Sequence, residues 1–482
     1  TVSATGIVGT GTGNTAIGTN ALDSVQSTGN RNTAFGFNAG TGITTANRNV
    51  HIGFEAGKLV TQGNSNVYIG AFAGDAATGS SEGNNTCIGD SAGGAITDGS
   101  ENTLIGQGAG ASITTASGQT AIGRESLLSN QTNVRNTAVG HGASIYLKGD
   151  DNTSLGYSAL AGNSSSAATG INNVAIGTEA MGGNNHTSAS DNVAIGFKAF
   201  HASVSGQDNT FIGKNVALEV TTGHYNVAVG EQAMAHATSP TYNTSCGNFA
   251  LANNFNDGGL DTKFTGTYNA AFGFQALGAQ ITSGAYNSAC GAWAGREVTT
   301  GSNNFFVGYA AGRTGGPGGS VTTGSNEGYL GDGNITAINA QVGITAASDK
   351  RDKTDVNDLN LGLEFVNKLT PVTFRWDKRI KYANKSTDFT KADDIDLNKI
   401  TPDGTYKENK LDVGFLAQDV IEIEESYNYK MSEETNLVSK LSGDGKQYSL
   451  QYERFVPMLV KALQELSDKN DALEARIKTL EG

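Results

Sequence analysis

Ser348, Asp349, Lys350, Arg351 and Lys353 place one hydroxyl, one carboxylate and three cations within six residues. A serine hydroxyl becomes a nucleophile only when a neighbouring group takes its proton, so the cluster is either a site of acyl transfer or a solvated turn. It lies where the chain changes character. The 347 residues before Ser348 hold 60 of the 66 glycines, with 11 Lys and Arg and 20 Asp and Glu; the 135 from Ser348 onward hold 6, 21 and 26. A composition step of this size marks a domain boundary, so chemistry there would join or separate two unlike halves.

The first half must position the cluster from one side, and it is repetitive. A five-residue core, Asn-x-x-x-Gly, recurs from Asn14 to Gly18 through Asn304 to Gly308, seventeen times, most often 17 residues apart. Gln119 replaces Asn once. The residue before the glycine is apolar in every copy (Ile17, Phe35, Ile52, Ile195, Cys246, Val307), beside a freely varying one (Ala16, His51, Tyr68, Phe211). That pattern reads as a short strand with one buried face, the invariant apolar residue being the core position. The glycine suits positive φ or close approach of a chain, and a small residue follows three places on, as at Ala21, Ala39, Ala56 and Ala73.

One such coil cannot bury a core alone, so coils must stack into a solenoid and pack against other subunits. The recurring Asn then forms a ladder of amides bonded to backbone or to the next Asn. At ~4.8 Å per strand, seventeen coils span about 80 Å. Spacing widens between Asn152 and Asn173 and between Asn243 and Asn269, and extra residues must leave the stack as loops. In the longer one, Phe255, Asp257, Asp261 and Phe264 combine aromatic faces with carboxylates, a receptor-loop candidate beside the reading of a tolerated insertion.

Several function classes fall away. The net charge of −14 is spread without a basic stripe, which excludes nucleic acid as a partner. No apolar run is long enough to cross a bilayer, and no metal or cofactor is expected. The six histidines are scattered, and Cys87, Cys246 and Cys290 lack metal-ligand spacing and read as small buried thiols. Asp150 and Asp151 are adjacent and so point apart on a strand, a poor pair for glycan hydrolysis.

The motifs Asn14-Thr15-Ala16-Ile17-Gly18 and Asn192-Val193-Ala194-Ile195-Gly196 resemble the head repeats of trimeric autotransporter adhesins, though the coil here is longer. The resemblance implies a mainly β fold, a parallel β-roll or β-solenoid wound from three chains. Downstream, four segments occur in order: Ser348-Asp349-x-Arg351-x-Lys353, Leu369 to Trp376, Val413 to Val420, and Tyr452 to Leu466 running into a heptad helix. Together they resemble the intramolecular chaperone of endosialidase type, the self-cleaving domain that ends phage tailspikes and tail fibres.

That resemblance implies a Ser/Lys dyad, with Ser348 as nucleophile and Lys353 as general base. Lysine serves so only where burial lowers its pKa, and no histidine follows His236 to offer the usual alternative. In the family the cut falls between Ser348 and Asp349; an acyl shift onto the serine oxygen would instead break Ala347–Ser348. Self-cleavage is a single turnover, and no other enzyme activity is expected. Residues 377–411, polar and rich in Lys and Asp, are implied to be an arm reaching back along the fibre, and a disordered loop has a similar composition.

Val456, Leu463, Asn470 and Ile477, with Leu459, Leu466, Leu473 and Leu480, form an apolar heptad seam over about 455–481, the mark of a coiled coil. The expected organisation is therefore a repeat fibre over 1–312, a glycine-rich hinge and extended thread over 313–347, and an α+β chaperone over 348–482. The expected function is a homotrimeric, extracellular virion tail fibre or tailspike segment, joined to upstream tail proteins and binding a host-surface glycan or protein. The alternatives are a secreted or cell-surface adhesin with the same maturation domain, a structural spacer, and a depolymerase.

Overall fold

The computed structural model describes residues 11–78, 83–164, 167–183, 188–252, 264–278, 282–316, 318–341, 343–344, 346–383 and 396–482. The chain divides into two compact units, Thr1–Ala292 and Trp293–Gly482, so the last coils group with the C-terminal body. The fold is mainly β.

In the first unit, sixteen three-residue strands run from β1 (Thr15–Ile17) to β16 (Ser288–Cys290), one per coil. Successive strands pair parallel and in register, as Val50↔Val67, His51↔Tyr68 and Ile52↔Ile69 do. The pairing runs coil on coil along the chain, the stacking that a coil unable to bury its own core requires.

The glycine after each strand is required by this stacking. Gly36 adopts φ 142°, and a Cβ there would overlap the carbonyl of Gly53 in the next coil. The Asn ladder forms as expected. Asn192 donates through Nδ2 to Asn173 Oδ1 (3.1 Å) and to the Gly206 carbonyl (2.9 Å), while its own Oδ1 accepts the Asn209 backbone N–H at 3.1 Å. Gln119 keeps the ladder, reaching the Asn133 carbonyl and accepting from the Asn136 N–H. Both long insertions leave it unbroken: Asn173 N bonds Asn152 Oδ1 and Asn269 N bonds Asn243 Oδ1, each at 2.9 Å.

The burial register is the reverse of the expected one. From Ala34 onward the variable middle residue of each strand is buried, Tyr68 and Phe211 completely, whereas the invariant apolar residue faces out, Ile17 at 47% and Phe35 at 53% exposure. A three-residue strand sends its first and third side chains to one face and its second to the other, so a shift of one inverts every assignment. Cys246 and Cys290 occupy the third position and are exposed, against the reading of buried thiols; Cys87, at the second, is buried.

The middle residue is free to vary because a second position compensates it. Six residues on, at a site held at positive φ, from 47° at Met181 to 73° at Gly312, the chain places the complementary volume. His51, Tyr68, Cys87, Leu104 and Phe306 face Gly57, Gly74, Gly93, Gly110 and Gly312, where a Cβ would collide with the facing side chain. Ala121, Ala175, Ala194 and Ala271 instead go with buried Leu127, Met181, Phe200 and Leu277. Most coils thus fill one cavity with one large side chain drawn from either of two positions; the pairs Ala34 and Gly40, Ala138 and Ser144, and Ala289 and Gly295 are small at both, and at Gly40 the space is met by His51 and Leu22 of the adjacent coils.

The second unit opens with parallel strands β17 (Phe305–Val307) and β18 (Gly328–Leu330). After an extended segment come α1 (Leu363–Lys368), β19 (Val372–Phe374) paired antiparallel with β20 (Asp412–Gly414), α2 (Ala417–Ser426), the antiparallel pair β21 (Ser439–Leu441) and β22 (Tyr448–Leu450), and α3 (Phe455–Glu481). Leu361, Phe365, Val420, Val438, Phe455 and Met458 form its core. Glu424 is buried in α2, and its carboxylate accepts the backbone N–H groups of Leu437 (2.8 Å), Val438 (2.8 Å) and Ser439 (3.2 Å) and the Ser439 hydroxyl, pinning β21 to the helix. Phe455, Met458 and Ala462 bury one face of α3, while Val456, Leu459, Leu463, Leu466, Leu473, Ile477 and Leu480 stand exposed. Leu397 lies inside the polar 377–411 excursion yet is buried.

Candidate functional site

The junction is an exposed thread. Every described residue from Asn334 to Asp358 is solvent-exposed, with an isolated turn of 3-10 helix at Lys350–Asp352. Asp349 caps that turn: its Oδ1 accepts the Arg351 N–H at 2.9 Å, and its two oxygens meet the Arg351 guanidinium at 3.1 and 2.6 Å. These hydrogen bonds to Arg351, side chain first and backbone second, hold the Asp349 carboxyl below the usual carboxylate range. Asp349 is thereby occupied in shaping the loop and is directed away from the hydroxyl chemistry.

The turn closes when the Lys353 N–H bonds the Lys350 carbonyl at 3.3 Å, and this folds the lysine side chain back over the preceding residues. Lys353 Nζ donates to Ser348 Oγ at 2.7 Å. The two residues singled out by resemblance are therefore in hydrogen-bond contact, the distance a nucleophile and its base require. Geometry is one half of the requirement; the other is desolvation of the amine, and within one chain both residues are exposed.

The receptor-loop candidates fare differently. Phe255, Asp257 and Asp261 lie outside the described residues. Phe264 is fully buried, its backbone bridged in parallel to Ala237, so its ring offers no face to a ligand. The Asp349–Arg351 clamp and the Glu424 staple were not anticipated. Spacing of two between opposite charges hints at the first, while the second joins residues 13 to 15 apart and carries no local signal.

Residues 348–434 match the family model described as chaperone of endosialidase, Peptidase_S74. No curated protein and no solved structure matches the chain.

Proposed function

We propose that the chain is a segment of a homotrimeric fibre, of the virus tail fibre or tailspike kind, that binds a host-surface glycan or protein. In this reading residues 348–482 bring three chains into register and then detach by one self-cleavage. The observation that carries it is the 2.7 Å contact of Lys353 Nζ with Ser348 Oγ, on an exposed thread at the start of the stretch matching the chaperone family. Two apolar faces support three chains: the outward ladder of invariant residues from Ile17 to Cys290, and the exposed seam of α3. Burying such faces is the main favourable term in association.

Trimerisation would also dry the dyad. A neighbouring chain laid over the thread excludes water from Lys353, disfavours its charge and leaves the neutral amine that accepts the Ser348 proton. The oxygen then attacks the Ala347 carbonyl carbon, the C–N bond breaks, and the lysine hands the proton to the departing Ser348 amine. Water hydrolyses the resulting ester and restores the hydroxyl, leaving a carboxylate on Ala347. Cutting is thus tied to assembly, and it makes the assembled fibre kinetically irreversible.

Wild type, Ser348→Ala and Lys353→Ala compared by intact mass and light scattering test this. The expected outcome is a trimer whose wild-type chains alone are cut, with a piece ending at Ala347; a piece ending at Ser348 would assign the cut to the Ser348–Asp349 bond and overturn the acyl-shift step. A full-length wild type inside a trimer would leave residues 348–482 as a permanent cap and end the autoproteolytic reading.

A further inference from the structure

The glycine-rich turn at 315–319 owes two of its glycines to the C-terminal body. A Cβ on Gly315 (φ 86°) would overlap the Ile380 side chain, and one on Gly319 (φ 75°) would overlap the Asp444 carboxylate and meet Ser442 Cβ at 2.7 Å. Ile380 and Asp444 both lie beyond Ser348, whereas the glycines lie before it. The fit is therefore between the two products that a cut at 348 would make.

Polar contacts surround this fit. Asp444 Oδ2 accepts the Ser320 N–H at 3.1 Å and the Thr314 hydroxyl at 3.4 Å, and the Gly443 N–H donates to the Gly318 carbonyl at 3.3 Å. Lys378 Nζ donates to the Gly333 carbonyl at 2.6 Å, and Lys440 Nζ lies 3.4 Å from Glu327 Oε1. On the body side, Arg379 is itself held by the Leu397 and Lys446 carbonyls at 3.0 and 2.7 Å, which fixes the turn bearing Ile380. Ile380 also walls a cavity of about 450 Å³ with Trp293, Tyr309, Arg313 and Tyr406, looser packing than a domain core shows.

We propose that these residues form a latch: Gly315, Gly319 and Gly333 make a socket for Ile380 and Asp444 that keeps the C-terminal body seated after the backbone is cut. The inference rests on the cleavage reading above for its biological setting, but the latch itself does not depend on Ser348. Every contact joins residues 314–333 to residues 378–444, and none uses the exposed thread that cleavage severs. Cutting converts an intramolecular contact into one between separate pieces and lowers its effective concentration without removing a bond. Release of the body is then a second step, set by the socket.

The test uses the full chain and two routes to the cut. Where the wild type cuts itself, its pieces are followed directly; otherwise a protease recognition sequence replacing residues 336–341 provides the break, so a silent dyad and a failed latch give different results. Size-exclusion chromatography of the cut wild type is expected to show both pieces in one peak at micromolar concentration. Ile380→Asp and Asp444→Ala are expected to lower the retained fraction roughly tenfold or more, as loss of a central interface anchor does. Circular dichroism of the isolated Ile380→Asp product checks that it remains folded. Immediate separation of the wild-type pieces, or equal retention in folded Ile380→Asp, would overturn the latch.

Discussion

The coils of the first unit and the C-terminal body solve the same packing problem in opposite ways. Most coils have one cavity and two positions able to fill it, and the ladder amides are satisfied by equivalent residues one coil up and down. The body has a core whose members come from α1, α2, α3 and the residues leading into α1 and β21, and a buried carboxylate with four specific donors. Errors in a coil are local and repairable at a neighbouring site, while errors in the body have no second place to be corrected. This suits a repeat that lengthens by copying and a body that must reach one defined state.

The largest expected effect sits on the body side. Phe365→Ala removes a fully buried ring and should cost about 3–5 kcal/mol, enough to melt the Trp293–Gly482 unit ahead of the coils in a two-transition calorimetric scan. No single added methylene elsewhere is expected to restore it. A scan in which both transitions shift together would erase the distinction between the units.

Tyr68→Ala opens a comparable hole in a coil, again about 3–5 kcal/mol, but Gly74→Leu in the same chain should recover half or more of the loss. Leu127 and Leu277 already occupy that left-handed site in other coils, at φ 49° and 48°. Absence of rescue in a double-mutant thermal melt would mean that the coils are not interchangeable.

Acid sharpens the comparison further. Burial pushes the His51 pKa down from 6.5 to about 3, and neither ring nitrogen has a hydrogen-bond partner. The folded state therefore favours the neutral ring: its contribution is complete above pH 6.5 and is lost as pH falls from there toward 3, at about 1.4 kcal/mol per unit. His51→Leu, copying the Leu104 and Gly110 arrangement, should flatten this slope in denaturant titrations between pH 7 and 4.5. An unchanged slope would place the acid sensitivity elsewhere.

Smallest of all is the ladder. Asn192→Ala orphans the buried Asn209 N–H and should cost about 1–3 kcal/mol, whereas Asn192→Gln, following Gln119, should cost under about 1 kcal/mol in the same melt. Equal losses from the two would show that the side-chain carbonyl is not what the ladder needs.

Much of this was legible beforehand. The Asn and Gly positions were readable because each performs a backbone task that few residues manage: a short amide that reaches a neighbouring coil, and a site where a Cβ collides with the next chain. Ser348 and Lys353 were legible through linked motifs spread over a hundred residues. The burial register was not, since an apolar residue at the same place in every coil marks one face of the strand without saying which face is inside. The available signal was the trade between positions six apart, such as Tyr68 with Gly74 and Ala194 with Phe200, in which a buried volume is conserved while neither residue is.

By itself the amino-acid order determined that the chain is built of stacked coils and which residues stand where its composition changes, because those follow from period, backbone geometry and composition. Only the tertiary structure decided which face of each strand is buried and that Ile380 and Asp444 seat against Gly315 and Gly319. A period of two is blind to which face is inside, and contacts across tens to more than a hundred residues depend on how the chain returns on itself.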